Sequence, residues 1–160
     1  MKLQTKYFGT VEADARETVV FSQGIPGFPD ETAFLFLPLA EDSPFFIMQS
    51  VKTPALAFVT ADPFVFFPEY EFRLNDAAIE QLELESEKDV AVYVILTVKE
   101  PFSESTANLV APVVVNTRKR IGKQVVLEGT TYRAAHRLVD EQGTVRRKGD
   151  SHARSDAKNK

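Results

Sequence analysis

The chain has no cysteine, so disulfides, thiolate zinc sites, iron–sulfur clusters and cysteine nucleophiles are excluded. It lacks any apolar run of the roughly 18 residues that a membrane-spanning helix needs. The longest such run, around 90–97, is strand-sized. The opening Met1-Lys2-Leu3-Gln4-Thr5-Lys6 carries no hydrophobic signal region, so a cytoplasmic protein with no membrane contact is the expectation. Histidine is scarce: His136 and His152 both fall in the weakly patterned C-terminal part. With no HExxH, no histidine pair at helical spacing and no Gly-x-Ser-x-Gly elbow, neither a metal nor a nucleophile–base set is expected. A Walker loop and a GxGxxG turn are missing as well, so no cofactor is implied. The acid pairs Glu83 with Glu85 and Glu87 with Asp89 stand in a run of alternating charges at a helix end. Catalysis by paired carboxylates requires one of them to be desolvated, and nothing in this run suggests burial. The chain reads as a non-enzyme.

What is present is an ordinary globular composition, 44% apolar and 26% charged over 160 residues, sized for one domain. Charge is unevenly distributed. Residues 1–116 hold 7 Lys+Arg against 18 Asp+Glu, whereas residues 117–160 hold 12 against 5. The acidic body repels nucleic acid and attracts basic protein surfaces, although solubility is the ordinary explanation of surface charge.

Short apolar runs at 18–21, 33–37, 45–48, 55–59, 90–98, 113–115 and 124–127 alternate with Pro, Gly, Asn, Asp and Ser. This is the pattern of strands and turns. Their spacing predicts an all-β, mainly antiparallel fold: a small barrel-like domain with one or two short helices. A helix is expected from Asn75-Asp76, with either residue capping it and Ala78, Ile79 and Leu82 on one face. It should end by Glu85-Ser86. Ten of the 13 phenylalanines lie between Phe28 and Phe72. Core is their ordinary role, and an exposed docking patch around Phe64-Val65-Phe66-Phe67 is the sharper alternative. Arg118-Lys119-Arg120 is placed in a charged connection between the runs 113–115 and 124–127. The domain is expected to occupy 1–130, with 131–160 a basic, disordered C-terminal tail.

Four segments together resemble a known family. They are Gly24-Ile25-Pro26-Gly27-Phe28; Glu41-Asp42-Ser43-Pro44-Phe45-Phe46-Ile47-Met48-Gln49-Ser50; Ala57-Phe58-Val59-Thr60-Ala61-Asp62-Pro63-Phe64; and the block 87–116 with its Asn108-Leu109-Val110-Ala111-Pro112. In this order and at these spacings they resemble the flagellar assembly factor FliW family, closest to its Bacillus-type members. The resemblance covers about residues 3–130. It implies a non-enzymatic antiparallel β protein of the cytoplasm that binds flagellin. It also implies an alternative partner, the RNA-binding regulator CsrA, which is kept from repressing flagellin translation. No direct binding of nucleic acid is implied.

Candidate partner contacts come from placement in the chain. Glu80, Glu83, Glu85, Glu87 and Asp89 form the densest acidic stretch. Glu100, Phe102, Glu104 and Asn108 belong to a polar loop after the longest strand, with Phe102 as an aromatic anchor. A solvated face and a plain loop are the ordinary explanations of the two groups. A competing reading is an RNA-binding β-barrel that uses the basic C-terminal third for phosphate contacts.

Overall fold

A computed structural model describes residues 1–139. A hairpin of β1 (Lys2–Gln4) and β2 (Thr10–Glu12) precedes the main sheet. The sheet contains β3 (Val19–Val20), β4 (Ala33–Pro38), β5 (Phe45–Ser50), β6 (Ala57–Ala61), β7 (Val90–Thr97), β8 (Thr106–Ala107), β9 (Val113–Asn116), β10 (Ile121–Gln124) and β11 (His136–Arg137). Seven of these strands close on themselves in the order β7-β6-β5-β4-β3-β10-β9, and β9 pairs back onto β7. Every pairing in the ring is antiparallel except β3 with β10. Closure removes the exposed edges that an open sheet would present. The fold expected from the strand-and-turn pattern is the one observed.

Alternation along the strands separates two cores. Inside the barrel, rings from non-neighbouring strands touch: Phe36 on β4 stacks on Tyr93 of β7 at 4.2 Å, and Phe46 of β5 meets Tyr93 edge-on at 5.3 Å. Val19, Phe34, Met48, Val113 and Val115 complete this interior. On the outside, Val90, Val92, Val94 and Leu96 of β7 face a covering layer. That layer includes α1 (Pro63–Phe66) and α2 (Asp76–Gln81), capped by Asp62 and Asn75. Phe64 and Phe66 are buried there, so this aromatic segment is core and not an exposed patch. Burial also pushes the Tyr70 hydroxyl's pKa up; it donates to the Leu109 carbonyl at 2.7 Å.

Three expectations are corrected. The strand placed at 124–127 lies earlier, at Ile121–Gln124, because a four-residue turn at 117–120 closes tightly with Arg120 at φ 58°. Val125 and Leu127 run on beside the preceding segment, donating to the carbonyls of Pro112 and Val110 at 2.9 and 2.8 Å. Second, the body does not stop at 130. Tyr132 packs edge-on against Tyr70 at 4.8 Å, β11 pairs with β8, and Leu138 is buried. The disorder expected beyond this point falls on 140–160, outside the described residues. Third, β1, β2, β8 and β11 correspond to no apolar run singled out in the sequence, and the aromatic segment at Phe64–Phe66 forms the helix α1.

The loop Gly24-Ile25-Pro26-Gly27-Phe28 is a tight turn. Ile25 and Phe28 exchange both backbone hydrogen bonds, at 3.2 and 2.8 Å. Proline fixes the first corner, and Gly27 supplies φ +86° at the second, the requirement of a type II turn.

Candidate functional site

The outer face of β5 and β6 is apolar at Phe45, Ile47 and Val59, and the covering layer leaves this part of it open. Phe45 and Ile47 from β5 and Val59 from β6 form the floor of a trench of about 440 Å³. Its walls come from three connections. Tyr7 and Phe8 stand at the tip of the β1–β2 hairpin, Leu39 follows β4, and Val98 and Phe102 follow β7. These five wall residues expose between 37% and 51% of their surface. Scattered exposed apolar residues are common, whereas here five converge on one trench.

The walls are built by local hydrogen bonding. At the hairpin tip, Thr5 Oγ1 accepts from Phe8 N–H at 2.9 Å, Thr5 N–H donates to Gly9 O at 2.9 Å, and Gly9 takes φ +66°. Lys6 N–H donates to Gln49 Oε1 at 2.9 Å, tying the tip to β5. In the loop after β7, Lys99 N–H donates to Ser105 Oγ at 2.8 Å. A 3-10 turn at Phe102–Glu104 presents the Phe102 ring edge-on to Phe45 at 6.0 Å.

Of the residues chosen from the loop, Phe102 lies in the trench, and Glu100 and Glu104, two positions either side of it, are exposed. Asn108 serves the backbone: its Oδ1 accepts from Ala111 N–H at 3.1 Å. Tyr7, Phe8, Leu39 and Val98 were not chosen. Tyr7, Phe8 and Leu39 stand outside every apolar run read in the sequence, and Val98 ends the run 90–98.

The acidic stretch lies elsewhere, and the fold sets it against the basic turn. Arg118 reaches Glu85 at 3.1 Å and Asp89 at 3.4 Å; Lys119 reaches Glu83 at 3.0 Å. Arg120 reaches Glu17 at 2.9 Å. Glu80 is exposed on α2, and Glu87 opens the short turn before β7. Two clusters that look opposed in the sequence therefore neutralise one another. The basic run has its charge engaged by neighbouring carboxylates, which weakens it as a phosphate-binding surface. Among the described residues, no group of three or more His, Asp or Glu side chains could hold a metal ion. No described helix is long and apolar enough to cross a membrane.

Comparison with known proteins gives one consistent result. The family described as FliW protein matches residues 2–138. A flagellar assembly factor FliW from Geobacillus sp. (strain WCH70) is 56% identical over 142 residues, covering 89% of this chain and 98% of the relative. The flagellar assembly factor FliW of Bacillus subtilis (strain 168) is 45% identical over 141 residues, covering 88% and 99%. A crystal structure of a flagellar assembly factor FliW superposes with a TM-score of 0.85 at 52% identity, covering 89% of this chain and 99% of that one.

Proposed function

The chain belongs to the FliW family of flagellar assembly factors, and on that premise we propose that it is a non-enzymatic cytoplasmic protein that works by holding protein partners. Flagellin is one of them, and the RNA-binding translational regulator CsrA is the other. The two alternate, so free flagellin releases the regulator, and flagellin synthesis follows flagellin secretion. The observation that carries this reading is the preformed apolar trench: five large side chains left in water gain from a protein partner that covers them.

The charge pattern supports the second partner. A basic regulator approaching Glu80, Glu83, Glu85, Glu87 and Asp89 meets carboxylates of which three already hold cations. Exposed ion pairs of this kind contribute only about 0–1 kcal/mol each, so a partner's arginines can replace Arg118 and Lys119 at small cost. Negative potential placed beside the regulator's RNA path would weaken RNA binding, most at low salt.

A competition titration tests the reading. Labelled CsrA from the same organism is titrated with the protein by anisotropy and then challenged with flagellin. The expected result is saturable binding followed by release. If neither protein binds, the chain shares the family's fold and not its partners.

A further inference from the structure

We propose that the seam between β3 and β10 is a separate binding site, which takes a short extended peptide as an added strand. The barrel closes least completely there. β3 and β10 share one register pair, Ile121 opposite Val20, and Val20 N–H donates to Arg120 O at 2.9 Å. Beyond Val20 the chain turns away: Phe21 N–H donates to Thr32 O at 2.8 Å, and Gly24 N–H closes a turn on Phe21 O at 2.8 Å. β10 runs on without a neighbour on that side. Its residues turn their backbone groups alternately to β9 and to the seam. Arg120 O accepts across the seam, and Val125 N–H donates to Pro112 O on the β9 side at 2.9 Å. Ile121 and Lys123 therefore serve β9, while Gly122 and Gln124 face the seam. Among the described residues, none donates to Gly122 O or Gln124 O, and none accepts from Gln124 N–H. These groups open into a cleft of about 380 Å³ whose far lip is the turn through Ser22, Gln23 and Gly24. Open donors and acceptors along a strand are what an incoming strand completes.

Charge and space select the peptide. Lys123 is the one charged residue lining the cleft, beside the neutral polar side chains of Ser22, Gln23, Gln81 and Gln124. The neighbouring cations are engaged, Lys119 by Glu83 at 3.0 Å and Arg120 by Glu17 at 2.9 Å, whereas Lys123 has no carboxylate within ion-pair reach among the described residues. Side chains opposite one another in a ladder project to the same face, so the peptide residue opposite Lys123 is acidic. Its two neighbours fall on the other face, over Gly122 and Gln124. That face is already filled: a methyl on Gly122 would stand 2.6 Å from the Phe21 ring, and Phe21 and Ile25 are buried. The neighbours are therefore small. Glu80 and Asp30 stand exposed next to Gln81 and Pro29, and they oppose a longer acidic run. The occupant is an extended segment with one Asp or Glu between small residues. A second copy of this chain pairing seam to seam would set Lys123 against Lys123.

The test titrates the full-length, nitrogen-15-labelled protein with the blocked peptide acetyl-Gly-Ala-Glu-Ala-Gly-amide, followed by NMR. The amides of 22–24, Gly122 and Gln124 should shift together, with a Kd of about 1 mM or tighter, and Gln124 N–H should exchange more slowly with water. The same peptide N-methylated at its three central residues cannot donate to the ladder and should bind at least about tenfold more weakly. Replacing its Glu by Gln should weaken binding about two- to fivefold. In Lys123→Gln, with a thermal melt as folding control, that preference should vanish, and in Lys123→Glu a Lys-centred peptide should bind better than the Glu-centred one. No shift at these amides up to about 10 mM peptide, equal binding of the N-methylated peptide, or a preference unchanged in Lys123→Gln would each overturn the proposal. Gln124 N–H already protected in the free chain at low concentration would mean that residues 140–160 fill the seam. Protection that appears only on concentrating the protein would assign the seam to a second copy. Either result overturns the proposal as well.

Discussion

Glu31 is a buried carboxylate that stays charged because two hydroxyls donate to it, Ser50 Oγ and Thr53 Oγ1, each at 2.6 Å. These bonds, Ser50's first, hold its carboxyl below the ordinary value of 4.5. The folded value is therefore the lower one, and between the two the unfolded chain binds more protons. The stabilisation is complete above the unfolded value and is lost as pH falls through the folded one. Glu31→Gln should cost about 1–3 kcal/mol near neutrality and flatten the acid limb of stability against pH, measured by urea unfolding. An acid limb unchanged from wild type would contradict this role. The turn glycines give a second test at this scale. Gly27→Ala meets nothing within 4 Å and bears only its φ of +86°, a cost of about 1–2 kcal/mol. Gly24→Ala adds a methyl 2.4 Å from the Phe28 carbonyl oxygen at φ +69°, so it should lose at least about 2 kcal/mol more. Equal denaturation midpoints for the two variants would show that the loop opens to accept the methyl.

Asn116 joins two elements that are distant in the chain. Its Nδ2 donates to the carbonyls of Leu82 and Glu83 at 2.9 and 3.2 Å, and its Oδ1 accepts from Arg118 and Lys119 N–H at 3.0 and 3.1 Å. The residue is fully buried at the end of β9, so it fixes the end of α2 against the 117–120 turn. Asn116→Ala should cost about 2–4 kcal/mol by leaving these groups unpaired. Lys119→Gln, which removes an exposed ion pair with Glu83, should cost under about 1 kcal/mol. Chemical unfolding of both separates them, and equal losses would mean that the ion pairs hold the turn. Elements with a strong local signal were legible in the sequence: β7, by its eight-residue apolar run, and α2, by Asn75 and its apolar face. Strands of two or three residues, such as β8 and β11, were not, because so few residues show no period, and the partner of β11 lies far back along the chain. The same reason hid the opposition of Glu83 and Lys119. Phe102 was legible as an aromatic in a polar loop. Tyr7 and Leu39 were not, since only the closed barrel brings their turns to one trench.

At the scale of the molecule, the barrel holds surface loops in place. Its seven strands come from most of the chain length, with β3 near the start and β10 a hundred residues later. The hairpin tip, the β4–β5 turn and the loop after β7 are thereby fixed around one trench. The acidic stretch and the basic turn meet as a separate surface. On the proposed function, a rigid scaffold presents two partner-facing surfaces, one apolar and one charged. Hydrogen exchange of the full chain, alone and with each partner, tests it most directly. Flagellin should slow exchange at 5–9, 39–45 and 98–105 and leave 76–89 unchanged. CsrA should slow exchange at 80–89 and 117–120. No slowing with either partner, or flagellin protection confined to segments outside the trench, would contradict the account.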